Sequence, residues 1–143
     1  MLIAQILSQK GEVVYATAGE ATLAQAAREL MDKRVGCVIV LDAEGEMIGI
    51  LSERDIVRQL AERGAACLTD TVASAMSHTI VTLAMEETVD EGLARMTDRR
   101  IRHLPVMREG KIIGLVSIGD LVKRKIEEVE VEAASLRAYI ASG

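Results

Sequence analysis

The chain repeats itself. Residues 14–35 align with residues 80–101 at a constant offset of 66, which sets Glu20 on Glu86, Thr22 on Thr88, Asp32 on Asp98 and Arg34 on Arg100. One residue is then lost in a loop and the offset becomes 65, so that Gly45 meets Gly110, Gly49 meets Gly114, Ser52 meets Ser117, Asp55 meets Asp120 and Val57 meets Val122. Self-similarity over such a span means two copies of one supersecondary unit. The expectation is a pseudo-twofold pair, stacked so that each copy covers the other's apolar face. Equivalent residues from both copies would converge on a cleft between them.

Size and composition narrow the reading. The chain has 143 residues, and halves of about 65 residues are marginal alone, so one fused domain is expected. Half of the residues are hydrophobic, yet there is no Phe, no Trp and only two Tyr. The core must be aliphatic, and platforms for stacking single-stranded bases are missing. A net charge of −5 argues against a general binder of nucleic acid or anionic membrane. No apolar run has the length to cross a bilayer. The start, Met1 to Leu7, has no basic leader and too short an apolar stretch for a secretory signal, so a cytoplasmic location is expected. Two Cys and two His without ligand spacing give no metal site. Cys37, inside an apolar run, reads as buried filler, whereas Cys67 falls between the copies.

Within one copy the pattern reads strand, helix, strand, strand, helix. A β-prone run at Val13-Val14-Tyr15 precedes a helix started by Thr22, whose Leu23, Ala26, Ala27, Leu30 and Met31 share one face. The run from Val35 to Leu41 is continuously apolar, as in a buried strand. A turn at Asp42 to Gly45 leads to a second strand at Met47 to Leu51, and Ser52 opens another helix. The second copy repeats this order with strands at 80–83, 101–107 and 112–116. This defines repeats at 8–64 and 72–128, a lead-in at 1–7 and a C-terminal extension at 129–143. A linker is expected over 61–70, and 72–76 is expected to lead into the second copy as Ile3 to Leu7 leads into the first. The last helix carries Val122, Ile126, Val129, Ala133, Leu136 and Ile140 at heptad-like spacing. That seam either folds back near Leu2, Ile3, Ile6 and Leu7 or meets a partner chain.

The element order, the runs Ile48-Gly49-Ile50-Leu51-Ser52-Glu53-Arg54-Asp55 and Ile113-Gly114-Leu115-Val116-Ser117-Ile118-Gly119-Asp120, and the run from Arg100 to Val106 together resemble a tandem pair of CBS domains. The chain is most similar to bacterial stand-alone CBS-pair proteins. The resemblance implies an α/β fold of two β-α-β-β-α repeats about a pseudo-twofold axis, with an extended C-terminal helix. It implies a sensor that binds an adenosine-containing ligand (AMP, ADP, ATP, NAD or S-adenosylmethionine) between the repeats and acts as a homodimer on a regulated partner protein. Ala18-Gly19 and Ala84-Met85 depart from a family preference for Pro before the helix, and Ile39 stands where the second copy has Pro105.

Two constellations carry the candidate chemistry. Ser52 with Asp55, and Ser117 with Asp120, stand three apart at strand-to-helix junctions. The spacing alone is that of a helix capping box. The resemblance adds a binding role, in which an ionised carboxylate, all acceptor, receives both hydroxyls of a ribose while the Ser hydroxyl and helix N–H groups face a phosphate. Gly49 and Gly114 would then allow close backbone approach. The second constellation is basic: Arg99, Arg100, Arg102 and His103, against Lys33, Arg34, Gly36 and Cys37 in the first copy. A charge run of this kind is either a solvated loop or, for an Arg at the mouth of a buried strand, an anion site.

The two pockets should therefore differ. One would combine Ser52, Arg54 and Asp55 with Ile80, Val81, Ile101, Arg102 and His103, and would suit phosphate. The other would combine Ser117 and Asp120 with Thr17, Val35, Gly36 and Cys37, and has Gly119 in place of Arg54. No Cys/His dyad, metal cluster or Walker-type loop is present, so the chain is not expected to be an enzyme, and no membrane contact is expected. The alternatives are a structural dimerisation protein without ligand, and nucleic-acid binding through the basic residues at 99–103.

Overall fold

A computed structural model describes all 143 residues. In chain order the elements are α1 (Ile3–Lys10), β1 (Ala16–Ala18), α2 (Leu23–Lys33), β2 (Cys37–Leu41), β3 (Met47–Ser52), α3 (Glu53–Arg63), a 3₁₀ turn (Gly64–Thr69), α4 (Val72–Ala75), β4 (Leu83–Ala84), α5 (Val89–Arg99), β5 (His103–Arg108), β6 (Lys111–Ser117) and α6 (Ile118–Ser142). The α/β architecture and the long final helix are those read from the sequence. Each repeat forms a three-stranded mixed sheet, ordered β1-β2-β3 and β4-β5-β6. In each, the first strand runs parallel to the second and the third closes an antiparallel hairpin.

The chain divides into two compact units, residues 14–80 and residues 1–13 with 81–143. The buried residues form two clusters, one per unit. The lead-in helices serve the opposite repeats from those expected. Helix α1 buries Ile3, Ile6 and Leu7 with Leu83, Val89, Met96, Leu104, Val116 and Leu121 of the second repeat. Helix α4 buries Val72, Ala75 and Met76 with Leu23, Val38, Val40 and Leu51 of the first.

The hydrogen bonds repeat this arrangement bond for bond. Val72 and Ala73 donate backbone N–H groups to the carbonyls of Ala21 and Gly19, and Leu23 donates to Asp70. Ile3 and Ala4 donate to Glu87 and Met85, and Val89 donates to Met1. Thus α1 stands to the second repeat as α4 stands to the first. Both satisfy orphan N–H groups at helix starts. Complete burial of Ile3, Ile6 and Leu7 supplies roughly 5–8 kcal/mol by area to the packing of α1 on the second repeat.

Local differences from the sequence reading have local causes. The first strand of each repeat begins late, at Ala16, just past the β-prone run, and at Leu83, the last residue of the strand expected over 80–83. In the first repeat the Ile39 N–H reaches the Tyr15 carbonyl. Pro105 takes the place of Ile39 and has no N–H to give the equivalent carbonyl of Val81, so β4 is shorter than β1. The expected linker over 61–70 is instead the end of α3 and the 3₁₀ turn, with Cys67 wholly buried. Cys37 is buried as expected. The two hairpin turns differ by the lost residue: Gly45 has φ +82°, and the tighter turn places Glu109 and Gly110 at φ +50° and +77°, the primed geometry that matches strand twist. No helix is long and apolar enough to cross a membrane.

The heptad seam of α6 is exposed from its first residue, Val122, and the contact with α1 falls just before it. Leu121 is buried beside Ile3, Ile6 and Leu7, and the Met1 ammonium donates to Glu128 at 3.3 Å. Beyond that, Ile126, Val129, Leu136 and Ile140 are exposed, from 48% to 68%, so α1 covers only the start of the helix.

Candidate functional site

Both strand-to-helix junctions fold as the Ser-x-x-Asp spacing requires. At the first, the Ser52 N–H donates to Asp55 Oδ2 at 2.8 Å and the Ser52 hydroxyl to the same oxygen at 3.1 Å, while the Asp55 N–H reaches Ser52 Oγ at 3.4 Å. Arg58, one turn along α3, donates to Asp55 Oδ1 at 2.6 Å. Asp55 is the one charged residue in the core, 8% exposed. At the second junction, the Ser117 N–H donates to Asp120 Oδ2 at 2.8 Å and the Asp120 N–H to Ser117 Oγ at 3.1 Å. Here the cation comes from far away in sequence. Lys10 Nζ donates to Asp120 Oδ2 at 2.5 Å and to the Leu115 carbonyl at 2.8 Å. Burial opposes the charge on Asp120, but the Lys10 ammonium and the Ser117 amide and hydroxyl outweigh it and hold the carboxyl below its ordinary value. Both capping boxes are therefore real, and each acid also carries a cation.

Each unit sets the start of its buried strand beside its own junction. In the first repeat Cys37 pairs with Ser52, and the Glu53 N–H donates to the Gly36 carbonyl at 2.9 Å. In the second, His103 pairs with Ser117, and the Ile118 N–H donates to the Arg102 carbonyl at 2.8 Å. Val35 is half-buried just before β2, and Thr17 lies on β1 opposite Val40. Ile80 closes the first unit and Val81 opens the second, both half-buried, as is Ile101. Arg54 and Arg102 are exposed, and Arg99, Arg100 and Arg102 enter no ion pair.

A concavity of about 420 Å³ adjoins Val81 and Thr82 in the second unit, with Arg95 and Arg99 on its wall. Arg95 is spoken for: it donates to the Thr82 carbonyl at 2.8 Å and twice to Glu87, at 2.9 and 2.5 Å. That pairing lowers the Glu87 carboxyl against the opposing effect of burial.

Two expectations change here. Gly49 and Gly114 do leave room for a close approach, but their own lead-ins fill it. A Cβ on Gly49 would lie 2.6 Å from Met76 Sδ and 2.7 Å from the Ser77 carbonyl oxygen, and one on Gly114 would lie 2.6 Å from a Leu7 methyl. The acids also have cations that the sequence reading missed. Arg58 was legible, at i+3 from Asp55 on one helix face. Lys10 was not, because nothing in the sequence links it to a carboxylate 110 residues away.

Two homologous α/β units, each with a lead-in helix and a capped Ser-x-x-Asp junction, define a small tandem-repeat α/β protein. The chain belongs to the CBS domain family, whose model matches residues 9–62 and 72–127. It is 32% identical over 126 residues to the CBS domain-containing protein CBSX3, mitochondrial, of Arabidopsis thaliana, with 85% of this chain aligned to 61% of that longer protein. Among solved structures it is similar to the CBS-domain containing protein ATU1752 of Agrobacterium tumefaciens, with TM-score 0.85, 36% identity and coverage of 87% of this chain and 92% of that one. The same fold occurs in PAE2072 of Pyrobaculum aerophilum, solved with AMP (TM-score 0.74, 24% identity, 84% and 89% covered). It also occurs in the CBS domain pair of MJ0100, solved with 5-methylthioadenosine and S-adenosyl-L-methionine (TM-score 0.78, 21% identity, 90% and 98% covered).

Proposed function

We propose that the chain is a regulatory, non-catalytic module that binds an adenosine-containing ligand and acts as a homodimer on a partner protein. The observation that carries the reading is the twin Ser-x-x-Asp junction. Each acid is held by the backbone N–H of its own Ser at a helix start, so each is fixed in position to accept the hydroxyls of a ribose. The AMP and S-adenosylmethionine complexes of two proteins of the same fold support the choice of ligand class.

In this reading one site uses Ser52, Arg54 and Asp55 with Ile80, Val81, Ile101, Arg102 and His103, and the other uses Ser117 and Asp120 with Thr17, Val35, Gly36 and Cys37. The solvated, unpaired Arg102 is suited to phosphate. The exposed seam on α6 supports the homodimer, since a 25-residue helix with one apolar stripe is a surface for a second copy.

The test is thermal shift with AMP, ADP, ATP, NAD and S-adenosylmethionine, followed by calorimetry on Asp55→Ala and Asp120→Ala. At least one ligand should raise the melting temperature by mass action, and Asp55→Ala should abolish the tighter event. A flat response to all five ligands removes the sensor reading. Equal binding by wild type and both variants reduces the acids to helix caps.

A further inference from the structure

The two junctions differ in one part, and the difference traces to the length of the lead-in helix. Helix α4 has four residues. It stops at Met76, and Ser77 then forms a backbone bridge with Ile50, exchanging N–H···O bonds of 3.1 and 2.9 Å. Helix α1 has eight residues and ends at Gly11, with φ +96°. The extra turn carries the chain past the point where Ser8 would have bridged Leu115, the counterpart of Ile50. The Leu115 carbonyl is met instead by Lys10 Nζ, and the same ammonium then reaches Asp120. Lys10 stands in the last helical turn, where the exposed carbonyl end of the helix favours a cation.

We propose that Lys10 is a specificity-determining residue of the second junction: it holds Asp120 against sugar hydroxyls and leaves that junction latent until the ammonium is displaced. The proposal rests on the reading of Asp120 as a ribose acceptor. A cis-diol gripped by one carboxylate needs both of its oxygens. Asp120 Oδ2 already accepts from Ser117 and Lys10. Asp55 is engaged at both oxygens, Oδ2 by the Ser52 N–H and hydroxyl and Oδ1 by Arg58, but those donors belong to its own junction and helix, and Arg58 is 52% exposed, the kind of pair that gives way readily. Lys10 is anchored at two acceptors and by its helix. Filling the second junction detaches Lys10 and frees the C-terminal turn of α1, which couples occupancy there to the N-terminal segment.

Calorimetry with AMP tests this on full-length chains. In an Asp55→Ala background, Lys10→Met should tighten the remaining event about fivefold, the size of a partly exposed ion pair, and adding Asp120→Ala should remove the gain. Lys10→Gln, which keeps an N–H for the Leu115 carbonyl, should act in the same direction and guards against a folding defect in Lys10→Met. Unchanged affinity in both Lys10 variants, while Asp120→Ala still weakens binding, overturns the gate alone. Weaker binding in the Lys10 variants also overturns it, because Lys10 would then be a ligand contact. Wild-type binding by both Asp→Ala variants, or no AMP binding by any of these proteins, overturns the parent reading and the gate with it.

Discussion

The assignment of α1 to the second repeat can be tested by a double-mutant cycle on Leu7 and Gly114. Leu7 is 2% exposed, and truncation to Ala in such a place destabilises by about 2–5 kcal/mol. Gly114→Ala puts a methyl 2.6 Å from one Leu7 methyl and 3.1 Å from the other, an overpacking that costs about 1–3 kcal/mol. Both clashes are with the same side chain. In the double variant the new methyl occupies space that Leu7 vacates, so the two losses should fall short of their sum by about 1–2 kcal/mol. Urea unfolding of the four proteins reads this directly. Gly49→Ala is the internal comparison. Its Cβ would meet the Ser77 carbonyl as well as Met76, and backbone cannot rotate away. It should be the more damaging of the two Gly→Ala changes, because it also disturbs the Ile50–Ser77 bridge. Additivity within about 0.5 kcal/mol for Leu7 and Gly114 would mean that they do not touch and would refute the assignment.

Three other outcomes are expected. Asp120 has its folded-state pKa below the ordinary 3.8, so its ion pair contributes stability that is fully present above that pH and is lost as pH falls through the lower folded value; Lys10→Met should therefore be less stable than wild type at neutral pH, and the difference should shrink as pH falls through that acid window, as followed by urea unfolding at a series of pH values with circular dichroism. Arg100 closes α5 at φ +55°, where a side chain is strained, so Arg100→Gly should raise the urea midpoint by an amount worth roughly 0.5–1 kcal/mol. Leu136→Lys with Ile140→Lys, both on the exposed stretch of α6, should leave the unfolding curve of the monomer unchanged and lower the sedimenting mass if that face pairs two copies; an undiminished dimer would place the interface elsewhere.

What could be read from the residues and what could not divide along a physical line. The repeat, the α/β order and the Ser-x-x-Asp caps are local patterns, and local patterns survive in sequence: Thr22, Ser52, Thr88 and Ser117 each cap a helix as their spacing says. The late start of β4 was also latent there, in the missing N–H of Pro105. The pairing of lead-ins with repeats was not. Ile3 and Leu7 are as apolar as Val72 and Met76, and amphipathic periodicity marks a buried face without saying what buries it. Lys10 was hidden for the same reason. Its partner is fixed by where α1 docks, so an error of docking conceals the ion pair. The exposed cluster at Arg99, Arg100 and Arg102 shows the opposite case, in which composition marks a charged edge and the fold leaves it unpaired.

The crossed docking of the N-terminal helix also has a temporal meaning. During synthesis residues 14–80 can close around α4 as soon as they clear the ribosome, with every element of that unit in hand. Helix α1 is made earlier still, yet the surface that receives Ile3, Ile6 and Leu7 includes Leu121. At ordinary elongation rates it waits roughly 5–20 seconds with three aliphatic side chains exposed. A helix made before either sheet is among the last to find shelter, and a chain stalled before residue 121 would carry those apolar side chains in the open, where chaperones and proteases can reach them.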